Sequence, residues 1–357
     1  MKAAICYEFN KPLVVEEIDI DPPKEGEVKV RLGATAICHS DIHVIRGDFG
    51  SRLPALAGHE SAGYVEEVGK NVTLVKPGDK VVISLVASCG KCPQCLAGLT
   101  HLCQFRWPLN RESRIHNKRG QDINPMTRTA TFAEYAIVHE SQTVPIPDDM
   151  PLDRASLLAC GVITGFGAAV RTAQIKAMSS AVIVGTGGVG LNAVQGAAFC
   201  GAHPIIAVDM VDSKLEVARK FGATHTVKAN DMDVLQKINQ ITDGGADYVL
   251  VTVGSTSAIQ QGFLMSRPHG MIVMVGRIPT SESVTLPTTR SWLERIVTAS
   301  TMGSVNLRLD IPKLVALYKT GRLKLGELVT AHYSLDQINE AIEAVERGEA
   351  LRNVIMF

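Results

Sequence analysis

The apolar positions change rhythm along the chain. From the first residue to about 145 they form short β-branched runs bounded by Gly, Pro or Asp: VKVRLGATAI (28–37), AGYVEEVG (62–69) and DKVVISLVA (79–87). Such runs predict short strands joined by turns. A polar stretch at about 104–131 carries Arg106, Arg111, Arg114, Lys118, Arg119 and Arg128, and reads as a long exposed loop. The prolines and aspartates of PIPDDMP (145–151) mark a boundary before a helical segment, DRASLLACGVITGFGAAV. From Ser180 continuous apolar strands (SAVIV, PIIAVDM, ADYVLVTVG, GMIVMVG) alternate with helices, the pattern of a parallel sheet covered on both faces. The end of the chain, from about 304, returns to helices, with Ile338, Ala341, Ile342 and Val345 at helical spacing, and LRNVIMF reads as a last strand.

Length agrees with this division, since 357 residues at about 150 per domain give roughly two domains. Hydrophobic residues make up 46% and charged residues 20%, the balance of a folded globular protein. Thirty-six basic against 36 acidic side chains leave a formal charge of zero, which argues against a nucleic-acid coat. The opening MKAAICYEFN has no long apolar region and no apolar run reaches membrane-spanning length, so a cytoplasmic protein with no membrane partner is expected. The 8 cysteines are unevenly placed, and a disulfide scaffold suits neither this length nor that compartment.

Two motifs carry chemistry on their own. Gly185, Gly187, Gly188 and Gly190 form a GxGxxG turn between a strand and a small-residue helix, and Asp209 ends the next strand. The glycines allow a pyrophosphate to approach the helix N-terminus, and the acid accepts from ribose hydroxyls. With a carboxylate there and no Arg immediately after it, NAD is favoured over NADP; Lys214 is close enough to assist. The second motif is Cys89, Cys92, Cys95 and Cys103, four thiolates for one closed, structural Zn²⁺, with an iron–sulfur cluster as the rival. A third set, Cys38, His59 and Cys160, has the right residue types for a zinc with an open position, but spacing alone does not link its members.

In these motifs, and in GHE at 58–60, CHSDIH at 38–43, VKPGDKV and GVITGFGAA, the chain resembles the zinc-dependent alcohol dehydrogenases of the medium-chain dehydrogenase/reductase superfamily over essentially its whole length. The resemblance implies an α/β fold: a GroES-like β-rich catalytic domain in two segments, 1–160 and 304–357, around a Rossmann doubly wound parallel sheet at 161–303, with substrate entering between them. It implies two Zn²⁺ per chain. The catalytic ion is held by Cys38, His59 and Cys160, with Glu60 beside it and Asp41 orienting His59. Ser40 takes the position that receives the alcohol proton and His43 that of the relay base. Thr164 and Val189 fall beside the nicotinamide, Val275 and Gly276 at its carboxamide, and Arg352 near the pyrophosphate. His39 stands where many members carry a pyrophosphate-binding arginine. Leu85, Phe49 and the 104–119 stretch are expected to shape the substrate pocket.

The reaction so implied is hydride transfer between a primary or secondary alcohol and NAD⁺, giving an aldehyde or ketone. Alternatives within the enzyme class are an anionic or glutathione-adduct alcohol, recognised by an arginine of the basic stretch, and a polyol; many polyol enzymes use a glutamate as third zinc ligand. Different classes are a zinc-free enone reductase and a non-catalytic NAD-binding protein. The expected partners are a small-molecule alcohol or aldehyde and further copies of the chain in a dimer or tetramer, the long 104–131 stretch leaning towards a dimer.

Overall fold

The chain divides at Cys160 and again at Val305, giving one compact unit of Met1–Cys160 with Asn306–Phe357 and another of Gly161–Val305. The computed structural model describes residues 1–48, 50–279, 281–287 and 293–357; Phe49 lies outside the described residues.

The first unit is β-rich. Among the described residues its larger sheet runs in the order Thr143–Pro145, Lys80–Ile83, Glu60–Val68, Glu27–Ala36, Arg352–Met356 and Val329–Tyr333, and Tyr135–His139 also pairs with Glu27–Ala36. The β-branched runs read from the sequence supply its central strands, whose Val28, Val30, Leu32, Val81 and Ile83 are buried together. A second sheet includes Lys2–Cys6 and Val14–Ile20 and shares a core with Phe132 and the inward face of the helix Ile338–Glu346. That face is Ile338, Ala341, Ile342 and Val345, all buried at the predicted helical spacing.

Among the described residues the second unit holds a six-stranded sheet in the order His225–Lys228, Ile205–Asp209, Ala181–Val184, Ala246–Val251, Ser266–Met274, Ile296–Ala299. Its pairings are parallel throughout. Numbered along the chain, the order is 3-2-1-4-5-6, that of a dinucleotide-binding sheet with its switch point after the first strand. Fully buried Val182, Ile206, Val249 and Val251 explain why these strands read as continuous apolar runs.

The stretch at 104–131 is not an exposed loop. Trp107, Leu109, Ile115, Ile123 and Ala130 are buried, and Ile115–Asn117 pairs with Val14–Ile20. Arg114, read as part of a solvated basic run, is buried with both Nε and Nη2 on the Glu27 carboxylate, at 2.9 and 2.7 Å. The bidentate pair satisfies a charge that the local polarity of the sequence assigns to water. Arg106, Arg111, Lys118 and Arg119 do remain exposed.

Candidate metal centres and coenzyme fingerprint

The four residues from Cys38 onward explain how the first candidate metal ligand is held. Cys38 is the N-cap of the helix His39–Arg46, and the Asp41 carboxylate reaches back to accept the Cys38 N–H at 3.0 Å, closing a capping box. The other Asp41 oxygen accepts from the Gly58 N–H at 3.0 Å and faces His59 Nδ1 at 2.8 Å. One buried carboxylate therefore sets the cysteine, the turn and the imidazole.

Gly58 has to be glycine. Its φ is +96°, and a Cβ there would lie 2.6 Å from the Phe132 nitrogen and 2.7 Å from Thr131 Oγ1. Its carbonyl accepts from Thr129 Oγ1 at 2.8 Å and from the Thr131 N–H at 3.1 Å, so the turn before His59 is fixed on both sides.

Cys160 arrives on an irregular helix. The run Leu152–Thr172 winds as π-helix over Leu158–Val162, where backbone carbonyls lose their regular partners, and buried Ser84 donates to the Ala159 carbonyl at 2.6 Å. This run is apolar enough to span a membrane, but 72% of its most apolar window is buried inside the protein.

The ligand atoms of Cys38, His59, Glu60 and Cys160 all lie within 4.8 Å of one another and all four residues are buried. His59 Nε2 and both Glu60 carboxylate oxygens are buried without a hydrogen-bond partner. Orphaned donors of this kind fit a cation, and the two thiols and one imidazole match zinc. The hydrogen bond from Cys160, opposed by burial, holds the Cys38 thiol well below its usual range, while that contact and burial push Cys160 well above it. Burial disfavours a charged His59, but the Asp41 carboxylate outweighs it and raises the imidazole's pKa well above normal. Burial drives Glu60 up to about 8, against the pull of Arg352.

Arg352 belongs to this cluster. It is buried, with Nη1 3.1 Å from Glu60 Oε1 and 3.3 Å from the Ile37 carbonyl, to which it donates. The contact with Glu60 is an ion pair without hydrogen-bond geometry, so the carboxylate oxygens keep their hydrogen-bonding capacity unused. Ser40 and His39 are exposed on the first helical turn, with Ser40 Oγ 3.7 Å from Cys38 Sγ. One turn further on, His43 Nδ1 lies 2.7 Å from Asp48 Oδ2. Leu85 offers its carbonyl to Arg128 Nη2 at 3.0 Å.

The second centre is local in sequence. The Sγ atoms of Cys89, Cys92, Cys95 and Cys103 also lie within 4.8 Å of one another. Two thiol sulfurs already accept backbone N–H groups, Cys89 from Cys92 and Cys103 from Cys89, both at 3.3 Å. N–H groups of Gln104 and Cys95 lower the Cys92 thiol to about 6, whereas burial raises Cys95 to about 12.

In the second unit the fingerprint turn joins Ala181–Val184 to the helix Gly188–Phe199, whose N-cap is Gly187. A Cβ on Gly190 would meet the Gly185 carbonyl oxygen at 1.9 Å, and Gly185 has φ +88°. At Gly187 a Cβ would meet nothing within 4 Å, so the turn leaves open space above the helix end, as a pyrophosphate requires. Asp209 ends the adjacent strand, and Lys214 lies half-buried on the helix Asp212–Lys220. Gly165, next to Thr164, packs so closely on the fingerprint helix that a Cβ would lie 2.0 Å from the Val189 carbonyl oxygen. The N–H groups of Val275 and Gly276 are already donated to the Val251 carbonyl, at 2.8 and 3.0 Å, which leaves their carbonyls.

Sequence reasoning missed three features: Ser84 under the π-helical stretch, the burial of Arg352 against Glu60, and the turn Met302–Ser304. In that turn three successive residues have positive φ, and Thr164 Oγ1 lies 3.7 Å from Met302 Sδ. Only the glycine at 303 hints at it in the sequence.

Residues 24–148 match the alcohol dehydrogenase GroES-like domain family, and residues 188–320 the zinc-binding dehydrogenase family. The chain is 38% identical to alcohol dehydrogenase B of Mycobacterium tuberculosis, covering 100% of this chain and 98% of the relative. It is 38% identical to an NDMA-dependent alcohol dehydrogenase of Amycolatopsis methanolica, covering 99% of this chain and 98% of the relative. It is 36% identical to an S-(hydroxymethyl)glutathione dehydrogenase of Saccharomyces cerevisiae, covering 99% and 95%. The crystal structure of benzyl alcohol dehydrogenase from Acinetobacter calcoaceticus superposes with a TM-score of 0.93 at 33% identity, covering 100% of this chain and 99% of that one.

Proposed function

This chain belongs to the zinc-dependent alcohol dehydrogenase family, and we propose that it transfers a hydride between a primary or secondary alcohol and NAD⁺. The observation that carries the reading is the convergence of Cys38, His59 and Cys160, with His59 Nε2 buried and unpartnered while Asp41 engages its other nitrogen. Held by those three side chains, zinc supplies a Lewis acid that makes an alcohol hydroxyl acidic near neutral pH, and bound nicotinamide supplies the hydride acceptor. A second zinc in the Cys89, Cys92, Cys95 and Cys103 lobe has a structural role.

The chain's own residues do the rest. Asp41 holds the Nδ1–H tautomer of His59 and so aims Nε2 at the metal position. In this reading Ser40, exposed beside Cys38, receives the proton of the alcohol, and His43, against Asp48, passes it to solvent; the 3.7 Å Ser40–Cys38 and 2.7 Å His43–Asp48 contacts support it. Glu60 and Arg352 line the buried side of the site and keep its charge balanced. Asp209 accepts from the adenosine ribose and disfavours a 2′-phosphate, which supports NAD as coenzyme.

The NDMA-dependent relative favours a second reading of the electron acceptor, in which the same site discharges to an acceptor other than free NAD⁺. The glutathione-linked relative favours a second reading of the substrate, an anionic adduct met by exposed Arg106 or Arg111. A polyol is less well supported, because Cys160 supplies the third ligand that many polyol enzymes take from a glutamate. We read the protein as a cytoplasmic homo-oligomer.

The deciding experiment measures zinc per chain and NAD⁺ reduction with neutral, aromatic and anionic alcohols, for the wild type and Cys38→Ser. Loss of one zinc together with alcohol-dependent NADH formation supports the reading. Full zinc and full activity in Cys38→Ser overturn it. Replacing Arg106 and Arg111 by Gln raises KM for an anionic alcohol alone if the adduct reading holds.

A further inference from the structure

We propose that Thr186, the second residue of the glycine-rich turn, is a positioning residue for the coenzyme: it grips one oxygen of Asp209 and leaves the other to the adenosine ribose. This rests on the reading of NAD as the coenzyme. Thr186 follows the strand Ala181–Val184, and Asp209 ends the neighbouring parallel strand, with Val184 opposite Val208. The two residues meet just beyond the end of that pairing.

Thr186 is fully buried. Asp209 Oδ2 accepts twice from it, from the N–H at 2.7 Å and from the hydroxyl at 3.0 Å. Asp209 Oδ1 accepts the Val211 N–H at 3.0 Å. A carboxylate has about four acceptor sites, so three are used within the protein and the remaining one lies on Oδ1. The negative charge stays in place while its orientation is fixed. Threonine suits the task because its β-branched side chain is stiff about χ1.

The turn is held independently from its other side. Thr252 Oγ1 donates to the carbonyls of Val184 and Gly185, at 3.1 and 2.8 Å, and the Thr252 N–H donates to Val184 at 2.9 Å. Replacing Thr186 by the isosteric valine therefore removes the hydroxyl grip without dismantling the turn. The Asp209 carboxylate then pivots on the two backbone N–H groups, and its acceptor site spends less time facing the ribose.

Isothermal calorimetry on the purified, zinc-loaded protein tests this with NAD⁺ and NADP⁺ as titrants. For Thr186→Val we expect the Kd for NAD⁺ to rise about tenfold while the Kd for NADP⁺ changes less than twofold, because the lost interaction serves the 2′-hydroxyl. Thr186→Ser restores NAD⁺ affinity to within about twofold, since it keeps the donor. In an Asp209→Ala background, Thr186→Val costs nothing further, as two members of one interaction are not additive. The inference is overturned if Thr186→Val binds NAD⁺ like the wild type, if it weakens both coenzymes equally, or if its effect persists without Asp209. Failure of the wild type to bind NAD⁺ sinks the coenzyme reading itself.

Discussion

Asp41→Asn is the sharpest perturbation available, because it changes one atom in a carboxylate that serves three donors. Asp41 takes the N–H groups of Cys38 and Gly58 and faces His59 Nδ1, at 3.0, 3.0 and 2.8 Å. With its amide oxygen kept toward His59 and Gly58, asparagine points an NH₂ at the Cys38 N–H, so an acceptor becomes a donor facing a donor. Losing one hydrogen bond to a buried charge costs about 1.5–3 kcal/mol, and weakening two more from charged to neutral brings the total to about 4 kcal/mol. Removing such an outer partner of a metal ligand lowers metal affinity about 10–100-fold. Competition with a chromophoric chelator, followed by mass spectrometric zinc counting, reads this directly. The four-cysteine lobe is an internal reference, since Asp41 contributes nothing to it. We expect one zinc per chain to become easily removable while the other keeps its wild-type competition curve. Two zincs with unchanged curves would refute the reasoning, and so would loss of both in step.

Three further outcomes are expected. Gly58→Ala forces a side chain at φ +96° into the Phe132 backbone at 2.6 Å, so it should cost about 3 kcal/mol or more by urea unfolding and release the same single zinc. Arg114→Met leaves Glu27 buried without its partner and should cost about 3–5 kcal/mol in the same assay, with alcohol specificity unchanged. His116 lies 3.1 Å from Asp21 and 2.9 Å from Asp122; burial opposes its charge, but the two carboxylates prevail and raise its pKa. Its contribution is thus fully present below the unfolded-state value of about 6.5 and disappears as pH rises through the higher folded value. Because the groups are partly solvated, His116→Gln should cost less than about 1 kcal/mol near pH 5.5 and nothing near pH 9, read from thermal melts.

What was legible in the sequence was what lies close together along it. The four-cysteine lobe spans Cys89 to Cys103 and the fingerprint spans Gly185 to Gly190, so spacing alone exposes both. The strands of the larger first-unit sheet and of the parallel sheet show as β-branched or continuous apolar runs because burial on one face or two dictates composition directly. The open metal centre is different: Cys38, His59 and Cys160 are brought together by a capping box, a left-handed glycine and a π-helical stretch, and only the family resemblance joined them. Arg114 misled for a related reason. Its local sequence is polar, and the Glu27 that allows its burial stands 87 residues away. Only the resemblance puts Arg352 near a pyrophosphate, and nothing in its local sequence marks the buried Glu60 that it meets at 3.1 Å.

The position of the last strand has a consequence for how the molecule is made. Arg352–Met356 inserts between Glu27–Ala36 and Val329–Tyr333, pairing Val354 with Ala36 and Ile355 with Thr35. During synthesis the four-cysteine lobe has all its candidate ligands once Cys103 has emerged, whereas the first sheet lacks an interior strand, and Glu60 lacks its arginine, until Arg352–Met356 has emerged. Until then the Ala34–Ala36 end of Glu27–Ala36 has an unpaired edge, open to mispairing with another nascent chain, while its Glu27–Arg31 end is covered by Tyr135–His139. Emergence of Arg352–Met356 is thus the step that completes the larger first-unit sheet, and without that strand the candidate ligand trio Cys38, His59 and Cys160 would sit in a sheet missing an interior member.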